Sequence, residues 1–255
     1  MGTFENQLLS ALPPEESERI RPHAEVVPLE YGRVLFEYGE RVGYAYFPLD
    51  CVVSLLNVTE DGRSIELAMV GREGMVGLPT FLGAALSFHS ASVQVPGAAV
   101  RFRASVLREM FERRAGPLAG QLSVHVWALL AQVSRLAACN RYHRDDERVA
   151  RWLLMIHDRM GADDLRLSHE HISLRLGMRR PGVTEVLGGL KRAGIVETRR
   201  SAIRLLDRAG LEGRSCECYR RITEEIGRPF SHRAPETAAT PSVRAPLFTR
   251  TGAEV

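Results

Sequence analysis

The 255-residue chain has one lysine, Lys191, and only four cysteines. It also has no unbroken apolar run of roughly 18 residues, the length that would mark a membrane span. Met1–Gln7 shows no basic start followed by an apolar block, so no signal peptide is expected and the expected location is cytoplasmic. Cys51, Cys139, Cys216 and Cys218 are too few and too irregular for a disulfide framework. Cys216-x-Cys218 is closer than the C-x-x-C of zinc or redox sites, so the expectation is reduced, unpaired thiols and no metal. His169-x-His171 on a helix would point its two rings to different faces. There is no P-loop and no G-x-S-x-G, and Gly71-x-x-Gly74-x-x-Gly77 lacks the dinucleotide fingerprint. Nothing here marks an enzyme. A metal enzyme on a β scaffold would need histidines and carboxylates on the strands, and only His89 lies among them.

Charge is unevenly placed. Residues 1–140 carry 12 basic and 15 acidic side chains, whereas residues 166–208 carry 10 basic and 4 acidic. A short segment with this excess is the electrostatic footprint of a phosphate-backbone binder.

The texture of the chain changes three times. Residues up to about 22 read as helical, with Phe4, Leu8, Leu9, Leu12 and Ile20 interrupted by Pro13-Pro14. Then short β-branched and aromatic runs alternate with glycine turns: 26–29, 34–36, 44–47, 52–58, 65–70, 92–95 and 99–102. Asp61-Gly62 is a hairpin signal, and Ile65, Leu67 and Met69 are expected on one strand face. Many short strands at this spacing imply a small sandwich or barrel.

Gly116-Pro117 opens a long helix over 117–140. Ala119, Leu122, Val126, Leu129, Val133, Leu136 and Asn140 step by three or four, as in a coiled-coil seam. A second apolar stripe runs beside it through Trp127, Leu130, Ala131 and Ala137. One stripe would face the β domain and the other a partner helix. The dimer interface is expected at Leu122, Val126, Leu129, Val133 and Leu136. A further helix is expected over 148–160, and a Pro-, Ala-, Thr- and Arg-rich disordered tail over 229–255.

Leu167–Leu206 is the most informative stretch. Ser168 is an N-cap with Glu170 in the first turn, Ile172 and Leu176 give an apolar face, and Gly177 can end the helix in the left-handed conformation. Pro181 suits the start of a second helix, whose apolar face is Val183, Val186, Leu187 and Leu190, with Gly194 as its stop. Two strands follow, 195–198 and 202–205, with Arg199-Arg200-Ser201 at the tip. Helix, glycine turn, helix and basic hairpin make a winged helix-turn-helix. The candidate DNA-binding residues are Ser168, Arg179, Arg180, Pro181, Thr184, Glu185, Arg199 and Arg200. Arginine can pair with guanine O6 and N7, glutamate can accept from cytosine N4, and the hairpin arginines suit phosphates.

On these residues, and on Val70-Gly71-Arg72-Glu73-Gly74-Met75-Val76-Gly77, the chain resembles the Crp/Fnr family of bacterial regulators over about residues 20–215. The resemblance implies an α+β architecture. Residues 1–116 would be an N-terminal helix and a cyclic-nucleotide-binding-like β-roll, 117–140 a dimerisation helix, and 141–215 a winged helix-turn-helix DNA-binding domain, with a C-terminal extension over 216–255. It implies double-stranded DNA, a second copy of the chain and RNA polymerase as partners, no membrane, and half-sites one helical turn apart. The sequence departs from the family at two places. The usual recognition turn, Ser-Arg-Glu/Gln-Thr-Val, is replaced by Arg179-Arg180-Pro181-Gly182-Val183, so no operator sequence follows. Gly77-Leu78 stands where cyclic-nucleotide binders have Gly-Glu, and Phe88-His89-Ser90-Ala91-Ser92 where they have Pro-Arg-x-Ala-Thr. A buried phosphate without its arginine is costly, which argues against a cyclic nucleotide held in the usual way. The N-terminal cysteines of iron–sulfur members are absent too, so the effector is unknown. A pocket for one would draw on Gly74, Gly77, Leu78, His89 and Ser90. The alternative reading is a ligand-binding β-roll whose C-terminal helices dock a protein partner.

Overall fold

The computed structural model describes residues 5–84, 86–113 and 116–227. Two short helices, α1 (Gln7–Ser10) and α2 (Pro14–Ile20), precede the strands. Asn6 caps α1 by accepting from the Leu8 and Leu9 amides, and its Nδ2 donates to the Pro48 and Gly74 carbonyls. One buried amide thus ties the N-terminus to two turns of the following domain.

Seven antiparallel strands then form two facing sheets: β1 (Glu25–Leu29), β2 (Val34–Phe36), β3 (Tyr44–Pro48), β4 (Val52–Val58), β5 (Ser64–Val70), β6 (Ser90–Val95) and β7 (Gly97–Arg103). One sheet has the order β1-β7-β3 and the other β2-β6-β4-β5. The strand positions follow the sequence reading to within two residues. Gly62 takes φ +79° in the β4–β5 turn, a conformation that favours glycine. The interior is aliphatic: Leu29, Val53, Leu55, Ala68, Val70, Val93 and Ala99 pack there with Phe36 and Tyr46.

The expected alternation along β5 does not hold. Leu55 pairs with Ala68 but Leu56 pairs with Glu66, so Leu67 is an extra residue in a bulge. Ala68 and Val70 fill the roll, while Met69 joins the helical core on the other side. Glu66 is buried beside Trp152 of that same core. Strict period two would have sent Glu66 into the roll with Ala68.

Helices α3 (Pro79–Leu82) and α4 (Ala104–Arg113) cover the end of the roll; α4 has no counterpart in the sequence reading. Next comes α5 (Pro117–Tyr142), two residues longer than expected. It is long and apolar enough to cross a membrane by length and composition. Here one of its sides is a core face: Leu118, Leu122, His125, Ala128, Leu129, Gln132, Leu136 and Cys139 are buried. Gln132 donates to the Met69 carbonyl (3.2 Å) and accepts from its amide (3.3 Å), pairing with β5 much as a strand would. His125 Nε2 lies 3.0 Å from the Met75 amide and 2.9 Å from its carbonyl.

The C-terminal part is α6 (Asp145–Met160), β8 (Asp164–Leu165), α7 (His169–Leu176), α8 (Arg180–Arg192), β9 (Val196–Arg199), β10 (Ala202–Leu205), α9 (Arg208–Arg214) and α10 (Cys218–Gly227). Its core is centred on the fully buried Trp152, with Leu153, Ile172, Leu187, Ile203 and Leu211. Residues 216–227, which the sequence left as an extension, include α10, and α10 packs along α5 and α6. The expected disordered tail, 229–255, lies outside the described residues.

Candidate nucleic-acid interface

Ser168 has extended backbone and its Oγ accepts from the His171 amide at 3.1 Å, starting α7. Gly177 closes the helix at φ +60°, and an added Cβ there would stand 3.5 Å from Ile65 of β5. The left-handed backbone is what favours glycine here, since a Cβ at that distance would only be in ordinary contact. The turn is further fixed by Arg148, which donates to the Leu176 carbonyl, to Asn140 Oδ1 of α5 (3.3 Å) and to Asp145 (3.1 Å). The end of α7 is therefore tied to the end of the long helix by one guanidinium.

Helix α8 starts with Arg179 as N-cap and Pro181 in its first turn. Val183, Leu187 and Leu190 are buried, which turns Arg179, Arg180, Pro181, Thr184 and Glu185 to solvent. Thr184 Oγ1 donates to the Arg180 carbonyl at 3.1 Å and lies 2.9 Å from His169 Nδ1, so the threonine joins the two helices. Arg180 Nε is 3.9 Å from Glu170, a loose pair between exposed groups that contributes little. Arg179 has no ion-pair partner among the described residues.

Strands β8-β10-β9 form the hairpin sheet, with Ala202 opposite Arg199. Arg200 and Ser201 make the tip, and Ser201 takes φ +58°. Arg199 is held by Glu197 at 2.9 Å, and this bond lowers the carboxyl pKa of Glu197. Arg200, exposed at the tip, has no ion-pair partner among the described residues. All eight candidate residues thus lie on the helix-turn-helix and hairpin. Ser168 shapes the backbone, and the rest are exposed on α8 and the hairpin.

The other two groups of candidates are placed differently from expectation. Leu122, Leu129 and Leu136, expected against a partner helix, are buried against the chain's own core. Val126 is half-buried, and Val133 is 37% exposed at the edge of the open face. That face is led by Trp127 (63%) and Leu130 (61%), from the second stripe. Residues 122, 129 and 136 recur every seven positions, and the sequence could not say which side of the helix the roll would occupy. Of the candidate effector residues, Gly74 is closed off, because an added Cβ would lie 2.4 Å from the His125 ring. Gly77 has φ +106° and presses on the Tyr44 carbonyl, 3.0 Å from an added Cβ. Leu78 is partly buried between two cores, and Ser90 Oγ accepts from the Tyr38 amide at 3.2 Å. His89 is buried between Phe36 and Phe88, and neither ring nitrogen has a partner among the described residues. Burial pushes its pKa down to about 4, so it is neutral near pH 7. A neutral ring cannot replace the arginine that a cyclic phosphate requires, and these residues do not fit a cyclic nucleotide in its usual pose. A separate cleft of about 630 Å³ opens between roll and reader, lined by Tyr31, Gln94, Val95, Arg166, Ser168 and His171.

A two-sheet roll, a long helix and a winged helix-turn-helix with a cationic leading edge define a DNA-binding transcription regulator with an N-terminal β-roll domain. Comparison with known families agrees: the cyclic nucleotide-binding domain matches residues 26–114, and the Crp-like helix-turn-helix domain matches residues 147–214. With both domains present in that order, the chain belongs to the Crp/Fnr family, whose members are transcription regulators, not enzymes. No curated protein matches it. Among solved structures it is similar to FixK2 from Bradyrhizobium japonicum, with 20% identity, 76% of this chain and 98% of that chain covered, and a TM-score of 0.65. The c-di-GMP responsive regulator CLP of Xanthomonas campestris is 19% identical, with 76% and 99% covered and a TM-score of 0.63. A Crp/Fnr transcriptional regulator from Eubacterium rectale is 20% identical, with 81% and 96% covered and a TM-score of 0.63. At these identities the likeness is one of fold.

Proposed function

We propose that the protein is a cytoplasmic homodimeric regulator that reads a two-fold-related DNA site. Helix α8 enters the major groove with Arg179, Arg180, Thr184 and Glu185 toward base edges, and Arg199 and Arg200 of the hairpin meet the phosphates. The observation that carries this reading is the exposed start of α8: two adjacent arginines project there from a helix whose other side is locked into the core. The dimer forms along the open face of α5, through Val126, Trp127, Leu130 and Val133. Large apolar side chains in a row on an exposed helix face are the mark of such an interface. RNA polymerase is the expected downstream partner, and the roll answers to a signal other than a cyclic nucleotide bound through a phosphate arginine.

The test is selection from a pool of random duplex DNA across a salt series, wild type beside Arg180→Ala. Enrichment of a palindrome, with affinity falling steeply as salt rises and specificity lost in the variant, is the expected result. Equal, sequence-blind binding by both proteins would remove the reader assignment.

A further inference from the structure

Cys139 and His143 stand one helical turn apart at the end of α5, and Cys216 and Cys218 flank the start of α10. Folding brings the four together: their ligand atoms all lie within 4.8 Å of one another. Cys139 Sγ is 3.5 Å from Cys216 Sγ, and Cys218 Sγ is 3.6 Å from His143 Nδ1. A tetrahedral ion with zinc–sulfur bonds of ~2.3 Å and zinc–nitrogen bonds of ~2.05 Å spaces its ligands roughly 3.8 Å (S···S) and 3.6 Å (S···N) apart. The Cys139–Cys216 and Cys218–His143 separations already match those spacings, and every other pair lies within 4.8 Å, so a small contraction around an ion would complete the tetrahedron. The three cysteines are buried and form a small core of their own. Burial of thiols for packing alone gives no reason for an imidazole nitrogen to be aimed among them.

Two surrounding groups complete the arrangement. The other nitrogen of His143, Nε2, lies 3.3 Å from Glu217 Oε2, the carboxylate–histidine pairing that orients a metal-bound imidazole. Arg151, only 2% exposed, has its Nε unpaired among the described residues and acts on Cys139. Three thiolates and one imidazole around a divalent ion leave one net negative charge, and a buried arginine offsets it.

We propose that Cys139, His143, Cys216 and Cys218 form a closed Cys3His zinc site that clamps α10 and the reader to the end of the long helix. With all four positions filled by protein, the site is structural, with no place for a substrate. Its location matters because Cys139 and His143 bracket the chain's exit from α5, where the orientation of the DNA-reading domain is set. Glu217 is a positioning residue for His143.

The test uses the full chain, purified under reducing conditions without a metal-affinity tag. Elemental analysis should give one zinc per chain. Exchange with Co²⁺ alone should give the intense visible bands of a tetrahedral thiolate complex together with sulfur-to-cobalt charge transfer. Against a chromophoric chelator, Glu217→Gln should bind zinc about 10–100-fold more weakly, and Cys216→Ser more weakly still, while Cys51→Ser, in the β-roll, should match wild type. Glu217 is largely exposed, so its variant remains informative if Cys216→Ser does not fold. Metal-free protein with four free thiols after zinc is supplied, a Cys139–Cys216 disulfide, or iron with sulfide in place of zinc would each overturn the assignment. None of these readings depends on DNA binding.

Discussion

Trp152 of α6 donates its indole N–H to Glu66 Oε1 of β5, 3.0 Å away, across the boundary between the β-roll and the reader. Glu66 is fully enclosed, and its other oxygen is 2.5 Å from Ser54 Oγ. That hydroxyl also faces Gln94 Oε1, so its one proton meets two acceptors. Exchanging the oxygen and nitrogen of the Gln94 amide, whose Nε2 otherwise has no partner among the described residues, resolves the conflict, and so does a proton on Glu66. Burial pushes the Glu66 pKa up in the same sense, against the opposing hydrogen bond of Ser54 and the fields of Arg175 and Arg151.

Glu66→Gln should accordingly be tolerated near pH 7, because the amide keeps an acceptor for Trp152 without a buried charge. Glu66→Ala leaves the Trp152 N–H unsatisfied and should cost about 1–3 kcal/mol in urea unfolding. Equal stability of the two variants would show that the bond carries no weight.

The two faces of α5 should respond differently to substitution. Leu122→Ala removes packing from the chain's own core and should cost about 2–5 kcal/mol of folding stability. Trp127→Glu with Leu130→Glu should leave the fold intact and shift the protein to monomer in sedimentation. A stable dimer in that double variant would move the interface elsewhere.

Arginines of α8 and of the hairpin should separate in DNA binding. Arg180→Ala should cost about 1–3 kcal/mol on the selected site and relax preference at one base pair in each half. Arg200→Ala should weaken all sequences alike and lower the slope of log affinity against log salt by about one per half-site. Loss of base preference in Arg200→Ala would reverse these roles.

Acid should destabilise the fold through three buried histidines, His89, His125 and His171, all held below the ordinary imidazole range by burial. Burial pushes His89 and His171 down to about 4, and the field of Arg175 adds to the shift at His171. The unfolded chain, titrating near 6.5, binds these protons while the folded chain does not. Stability is therefore complete above pH 6.5 and falls as pH drops toward 4. His89→Leu should flatten that slope by one proton's share. It also deletes two unpaired buried nitrogens, which should raise stability by about 1–3 kcal/mol. An unchanged slope, read from urea midpoints across that window, would place the titration on other groups.

Much of the fold was legible in the sequence because its signals are local. Asp61-Gly62 marked a hairpin, Ser168 and Gly177 marked the ends of α7, and the hydrophobic period of 183–190 marked the inner face of α8. The exposed residues of the reader followed by subtraction. Where neighbours in space are distant in sequence, such reading fails. The bulge at Leu67 leaves no composition signal, and it moved Glu66 to the helical side of β5.

The amino-acid order by itself determined the succession of roll, long helix and winged helix, and it placed the cationic edge at Arg179 and Arg180. Propensity, capping and periodicity act over a few residues and are written there. Only the tertiary structure decided which stripe of α5 the roll would cover, since both stripes are apolar and packing across the chain chooses between them. It alone brought Cys139 and His143 to Cys216 and Cys218. Between them the chain passes through the whole reader, and the side chains meet because α10 folds back along α5.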